Sequence, residues 1–389
     1  MQRFEQDPTD PDFVQTPYPF YDRLRQAGDF AFWQDYDMPC AVTLAAVQAV
    51  MKDRRMGRAP LAPAPADPAR AAFDAVEAHS MLELEPPDHT RLRRLVLQAF
   101  TSRSIAGLEP AIRAMCHELI DAFPSEGTPF DLLDAYARPV PVRTIARLLG
   151  VPEAACEDLL RWSNAMVAMY QARLTPDIVS QADRATRDFT AFLSGHLAEK
   201  RRTPADDLLS TLIAARDGPS TLSEDELVST AILLLNAGHE ATVHSLGNGV
   251  KAMLEAGVRR ADAGAVEEVL RFDPPLHMFT RTVYEPCEVL GHSFARGDRI
   301  ACLLGSANRD PSVWAHPDRF DPDRDGLAHA AFGAGIHFCV GAPLARLELR
   351  VALEVLWDRC PDLSLAQPPR YADVYHFHGL SSLRVRQAA

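Results

Sequence analysis

The 389-residue chain predicts a mainly α-helical fold with small β-sheets, and three observations carry that expectation. Apolar residues recur at i, i+3, i+4 and i+7, as in Leu92, Leu95, Val96 and Ala99, which lines one face of a helix. Thirty prolines fall mostly between such stretches rather than inside them. Strand-like stretches are few and short.

In chain order, helical spacing places the first helices at Pro19–Ala27 and Leu44–Asp53. Stretch 54–78 follows, with Pro60, Pro63, Pro65 and Pro68 among many alanines. It reads as an irregular loop over a pocket or a plain mobile connection. Helical periodicity then resumes at His89–Phe100, Ile105–Phe123, Asp131–Leu149, Glu153–Gln171, Pro176–Lys200 and Asp206–Arg216. A long helix is expected over Ser223–Ala256, and shorter ones over Ala265–Phe272 and Val340–Arg359. Strand character marks Phe30–Trp33, Arg281–Phe294, Arg299–Leu303 and Leu380–Val385.

With 47% hydrophobic and 24% charged residues, the composition supports a large buried core. Length alone suggests two or three domains. No Gly/Ser linker, long charge run or internal repeat divides the chain, so residues 1–389 read as one large domain. Apolar runs such as Ala231–Leu235 fall far short of the ~20 residues that span a bilayer. The start, Met1-Gln2-Arg3-Phe4-Glu5-Gln6-Asp7, lacks the basic stretch and apolar core of a secretory signal, so a cytoplasmic protein is expected. Seven cysteines form no C-x-x-C pair, which fits a reducing compartment. The net charge of −13 argues against nucleic acid as the main partner.

Two segments carry chemistry. The centre of the long helix reads Leu234-Leu235-Asn236-Ala237-Gly238-His239-Glu240-Ala241-Thr242, an apolar run with a polar break suited to a site; a helix with one solvated face is the other reading. The second is Phe332-Gly333-Ala334-Gly335-Ile336-His337-Phe338-Cys339-Val340-Gly341-Ala342-Pro343. Its glycines let the backbone turn tightly and approach a flat ligand. Cys339 then sits where a helix begins, and the helix dipole favours the thiolate, the form that ligates iron. A cysteine near glycines is more often structural, so the weight rests on the whole pattern.

At these residues the sequence resembles the cytochrome P-450 family, whose bacterial haem loop reads F-G-x-G-x-H-x-C-x-G; every fixed position from Phe332 to Gly341 is matched. In the family's order come Pro87-Asp88-His89-Thr90-Arg91-Leu92-Arg93, Ala237-Gly238-His239-Glu240, Glu268-Val269-Leu270-Arg271, Ala307-Asn308-Arg309-Asp310-Pro311 and Pro317-Asp318-Arg319-Phe320. The resemblance covers nearly the whole chain. It implies the cytochrome P-450 fold, with haem b (iron protoporphyrin IX) between the long oxygen-binding helix and the cysteine-loop helix. Cys339 becomes the iron ligand, and thiolate ligation favours O–O cleavage. Ala237, Phe332 and Gly341 lie beside the haem, and His89, Arg93, Arg281 and His337 occupy propionate-binding positions. Glu268 and Arg271, i and i+3 on one helical face, become a buried structural pair that serves folding and haem retention.

The resemblance also exposes a departure. The family usually follows its acid with an alcohol that helps deliver protons, but here Glu240 is followed by Ala241. Thr242 lies one residue later, about 100° further around the helix. Our reading keeps Glu240 as the proton source, acting through ordered water and a polar group on the substrate, as in family members with the same Glu-Ala step. His239, His244 or a less alcohol-dependent reaction are the alternatives. A second departure is the connection Lys251–Val266, several residues shorter than is usual.

No G-x-G-x-x-G follows an expected strand, so electrons from NAD(P)H are expected through separate proteins, a ferredoxin (or flavodoxin) and its reductase. Arg91, Arg94, Arg346 and Arg350 offer a local basic patch for an acidic carrier. By resemblance, the pocket is lined from stretch 54–78, the long helix, Leu276–Thr280 and stretch 375–380. Leu234, Ala237, Met278, Phe279 and Phe377 make it apolar, and His239, His277 and His378 supply polar anchors. The implied function is O2-driven hydroxylation or epoxidation of a small-to-medium hydrophobic molecule by a monomeric protein. A peroxide-driven peroxygenase is one alternative, although that branch carries Arg-Pro where Glu240-Ala241 stands; a non-enzymatic haem sensor is the other.

Overall fold

Helix follows helix because each apolar stripe finds a partner to cover it. The computed structural model describes all residues except 63–64, 172, 217–219, 326–327, 376 and 389. Pro63, named above in stretch 54–78, and residue 376 of the expected tail 375–380 therefore lie outside the described residues. The chain forms two units: Met1–Leu61 with Arg113–Ala137 and Ala241–Ala389, and Ala62–Ile112 with Arg138–Glu240.

The first unit is built on a six-stranded sheet, in the order Arg3–Phe4, Phe30–Trp33, Met38–Ala41, Arg299–Leu303, Met278–Val283 and Met56–Gly57. Met278 pairs with Leu303 and Thr282 with Arg299 in an antiparallel ladder, so alternate side chains face opposite sides. One side buries Phe13, Phe20, Trp33, Met278 and Tyr375. The other buries Phe30, Val47, Val50, Met51 and Ile300, with Phe279 packed against them. A three-stranded sheet joins Ser364–Leu365, Arg384–Arg386 and Phe130–Asp131. This unit also contains the helix Leu44–Lys52, capped by the Thr43 side chain, and the helices Ala263–Phe272 and Ala342–Arg359.

The second unit is helical. Trp162 of Cys156–Val167 packs its ring 5.3 Å from Phe189 and 5.4 Å from Phe192 of Pro176–Arg202. Asp183, almost fully buried, accepts hydrogen bonds from the backbone of Ala72 and Phe73 at the start of helix Ala71–Glu77. That helix lies in the stretch expected as an irregular loop, which therefore ends in regular structure. The prolines stop at Pro68, and the run after it has the helical propensity its composition lacks earlier.

The long helix, Glu224–Ala256, gives its first half to the second unit and its second half to the first. It runs without a break, so the polar centre interrupts the apolar pattern and not the hydrogen bonding. After Gly257, in the left-handed conformation, only a short connection precedes Ala263. Expected helices Ile105–Phe123 and Asp131–Leu149 are each divided, into Ser102–Ala106 and Glu109–Asp121, and into a π-turn at Leu133–Ala137 and Pro139–Leu149. Among the described residues, no helix is long and apolar enough to cross a membrane.

Candidate active site

The cysteine loop is shaped by two glycines at positive φ, Gly333 at 68° and Gly335 at 72°. At Gly335 a Cβ would stand 2.2 Å from the Met51 carbonyl oxygen, so only glycine lets the loop lie on the end of helix Leu44–Lys52. The Cys339 N–H donates to the Phe332 carbonyl (3.0 Å), closing the loop. The cysteine is thereby held just before helix Ala342–Arg359, whose dipole favours a thiolate. Cys339 is exposed, whereas the other six cysteines are buried, and no disulfide joins any of them. Ile336 and Phe338 beside it are 39% and 40% exposed, an apolar rim unusual for a surface loop. A Cβ at Gly341 would lie 3.8 Å from Sγ, so its absence keeps the sulfur's surroundings open. One accessible sulfur, an apolar rim and a helix N-terminus match what a planar apolar macrocycle with a soft-ligand iron requires.

Arg346 spans this loop from the following helix, its guanidinium 4.7 Å from the Phe332 ring centre. Hydrogen bonds to Glu267 raise its pKa, and the negative charge of Cys339 adds to this. Burial pushes Glu267 up, but hydrogen bonds from Arg346 and His329 hold it down at about 2. Sequence reasoning missed Glu267 and His329, because their partner lies far along the chain. Their pairing also corrects the expected basic patch: Arg346 is held by Glu267, and Arg91 by Glu226. Of the four arginines, Arg94 is exposed, and Arg350 sits 3.4 Å from Glu354.

Behind the loop, Arg271 and Glu268 form a bidentate pair at 2.7 Å, each side chain 3% exposed. Arg271 also donates to the carbonyls of Asn308 (2.9 Å) and Pro317 (3.0 Å), while Glu268 accepts from Asp321 N–H and Arg324. The pair thus ties the helix Ala263–Phe272 to the stretch that leads into the cysteine loop.

The long helix presents Ala237 exposed and Leu233, Glu240, Ala241 and His244 half-buried along one face. An alanine exposed in the middle of an apolar run marks an open face within otherwise buried helix. At Gly238, a Cβ would meet Ile145 at 3.3 Å, so this glycine serves close packing on helix Pro139–Leu149. Thr242 is buried and rotated about 100° from Ala241, off the open face. His239, expected as a pocket anchor, is 1% exposed and points the opposite way, its Nδ1 bonded to the Leu235 carbonyl (2.8 Å). The reason is helical phase: two residues put it roughly 200° from Ala237.

The other pocket expectations divide. Phe377 and Phe279 are half-buried, and Phe377 bridges Leu276. Leu234 is buried beside the open face. Met278 belongs to the core with Phe13 and Trp33, because strand alternation sends it to the side opposite Phe279. His277 and His378 are fully buried, not pocket anchors. His277 bonds the Tyr21 hydroxyl (2.8 Å), and His378 stacks on Tyr371 at 3.9 Å. Asp273 accepts from the hydroxyls of Tyr18 and Tyr371 in the same network. Of the residues expected at the haem carboxylates, Arg281 is buried and donates to the Thr280 carbonyl, and His337 is half-buried in the cysteine loop. In the second unit, His89 is buried and Arg93 half-buried on helix Asp88–Ala99.

A mainly helical chain with an exposed cysteine on a glycine-shaped loop before a helix, braced by a buried Glu-x-x-Arg pair, defines a haem-thiolate protein. The family model described as cytochrome P450 matches residues 263–360. The chain is 37% identical to the cytochrome P450 monooxygenase PikC of Streptomyces venezuelae, over 96% of this chain and 92% of that protein. It is 41% identical to 6-deoxyerythronolide B hydroxylase of Saccharopolyspora erythraea, over 74% and 72%. The solved structure of the bacillaene polyketide synthase cytochrome P450 PksS, from Bacillus subtilis 168, superposes with a TM-score of 0.87 at 33% identity, covering 99% of this chain and all of that one. The chain belongs to the cytochrome P450 family, and it is a haem b monooxygenase that uses O2 and reducing equivalents from NAD(P)H delivered by partner proteins.

Proposed function

We propose that this protein places one oxygen atom of O2 into a small-to-medium hydrophobic substrate, by hydroxylation or epoxidation, while the other oxygen leaves as water. The observation that carries this is the exposed Cys339 in its apolar rim before a helix N-terminus. Haem b held there supplies the oxygen activation. Cys339 ligates the iron; Phe332, Gly341 and Ala237 pack beside the ring; His89, Arg93, Arg281 and His337 neutralise its carboxylates. Leu234, Ala237, Phe279 and Phe377 give the substrate an apolar wall, and Glu240, next to Ala241, is the acid that supplies protons. A ferredoxin or flavodoxin with its reductase brings the electrons to a monomeric protein. The names of PikC and 6-deoxyerythronolide B hydroxylase support a macrolactone-like substrate as the first class to try.

Two measurements test the reading. Reduced protein under carbon monoxide should give the red-shifted Soret band of thiolate ligation, and Cys339→Ser should abolish it. A ligand panel led by macrolactones should shift the iron to high spin as axial water is displaced. A normal carbonmonoxy band in Cys339→Ser would overturn the ligand assignment, and no spin shift with any hydrophobic ligand would overturn the substrate class.

A further inference from the structure

The acid on the open face of the long helix does not stand alone. Glu240 Oε2 lies 3.3 Å from His239 Nε2, and the two side chains are 20% and 2% exposed. The other ring nitrogen, Nδ1, faces the Leu235 carbonyl at 2.8 Å. A carbonyl oxygen only accepts, so Nδ1 carries a hydrogen. A neutral imidazole with that hydrogen would turn the bare lone pair of Nε2 toward a carboxylate and toward Asn164 Oδ1, 3.5 Å away. The Asn164 amide can turn either its oxygen or its NH2 to the ring, but the carboxylate only accepts; a lone pair and a carboxylate facing one another are unfavourable, and a single proton between Nε2 and Oε2 removes the conflict.

We propose that His239 and Glu240 hold one proton in common, and that this pair, with Asn164 behind it, is the proton store that serves oxygen chemistry in a helix without an alcohol at 241. The proposal rests on the monooxygenase reading. To leave toward the open face, the shared proton first passes wholly to the Glu240 carboxyl group and departs from there, so that Glu240 is left as a carboxylate and the imidazole keeps only its Nδ1 hydrogen. The pair is then reloaded by one proton from outside, so that each proton delivered is matched by one taken up. His239 is a positioning residue: it is 1% exposed, faces Glu240, and acts by loading it. Its burial on the reverse face, which removes it from the pocket, suits that role.

The test begins with the intact haem-loaded protein in its diamagnetic ferrous carbonmonoxy form, with isotope-labelled histidine nitrogens. The His239 signal is assigned by its loss in His239→Gln. Hydrogens on both ring nitrogens are expected in the unaltered protein, and Glu240→Gln should leave the Nδ1 hydrogen alone. A bare Nε2 in the unaltered protein would overturn the shared proton. In a second arm, oxygen uptake driven by NAD(P)H through a surrogate ferredoxin and reductase should fall by about tenfold in His239→Gln, as expected for a weakened proton donor. A normal NMR signature with unchanged uptake would overturn the relay while leaving the monooxygenase intact. Loss of the thiolate Soret band in the unaltered protein would instead sink the monooxygenase reading itself.

Discussion

Replacing Arg271 by alanine should destabilise the protein more than any other single change at the site. Both partners of the pair are 3% exposed, and Arg271 makes two hydrogen bonds to Glu268 and two more to the carbonyls of Asn308 and Pro317. Without it, Glu268 keeps Arg324 and the Asp321 N–H as its partners among the described residues. Removing one member of a buried ion pair costs about 3–5 kcal/mol, because the other charge stays desolvated. At roughly 2.1 cal/mol/K per residue, unfolding 389 residues carries an entropy near 0.8 kcal/mol/K. The melting temperature should therefore drop by about 4–6 °C. Circular dichroism melts measure this, and the ratio of Soret to protein absorbance after purification reports haem retention. Arg271→Lys should recover part of the loss, since a point charge cannot reproduce the fork. The double replacement Glu268→Leu with Arg271→Leu should not rescue the protein, because the largely buried Arg324 then loses its carboxylate partner. An Arg271→Ala protein that melts within about 1 °C of the parent would refute the claim that the pair is buried and load-carrying in this fold.

Three further outcomes follow from the same geometry. Burial keeps His277 well below its ordinary pKa and His378 at about 3, so both are neutral in the fold and bind protons more readily when unfolded. Their contribution is fully present above about pH 6.5 and is lost as pH falls from there toward about 3. Melts across pH 7 to about 4.5 should show that decline, and His378→Phe should flatten it. Gly335→Ala should yield protein with little haem, since a Cβ there meets the Met51 carbonyl at 2.2 Å in a left-handed backbone; a full Soret absorbance would contradict the close approach. Ala241→Thr should leave product formed per NAD(P)H within about twofold of the parent if Glu240 and its partners already deliver protons, and a large rise in coupling would contradict that.

The residues that announced the fold and the site are those whose environment is local. Phe332 to Gly341 is a continuous stretch, so its glycines, closing turn and cysteine could be read directly. Glu268 and Arg271 lie one helical turn apart and could be paired on sight, although their burial came only from the family likeness. Where the outcome depended on which way an element faces, the sequence misled. Met278 and Phe279 are adjacent and similarly apolar, and register alone decides which meets the core. His239 lies between Ala237 and Ala241 in sequence but across the helix in space. Asp273, His277 and His378 form one network with tyrosines from the far end of the chain, and no spacing rule joins Tyr18 to Tyr371. The helix Ala71–Glu77 was hidden because the prolines before it dominated the composition of its neighbourhood.

The contact between Gly335 and Met51 ties the position of the sulfur to a helix from the opposite end of the chain. The atoms that meet Gly335 are main-chain atoms of residues 51 and 52, so anyone grafting this cysteine loop into a relative must keep the glycine at 335 and the backbone path at the end of that helix, whatever side chains stand there.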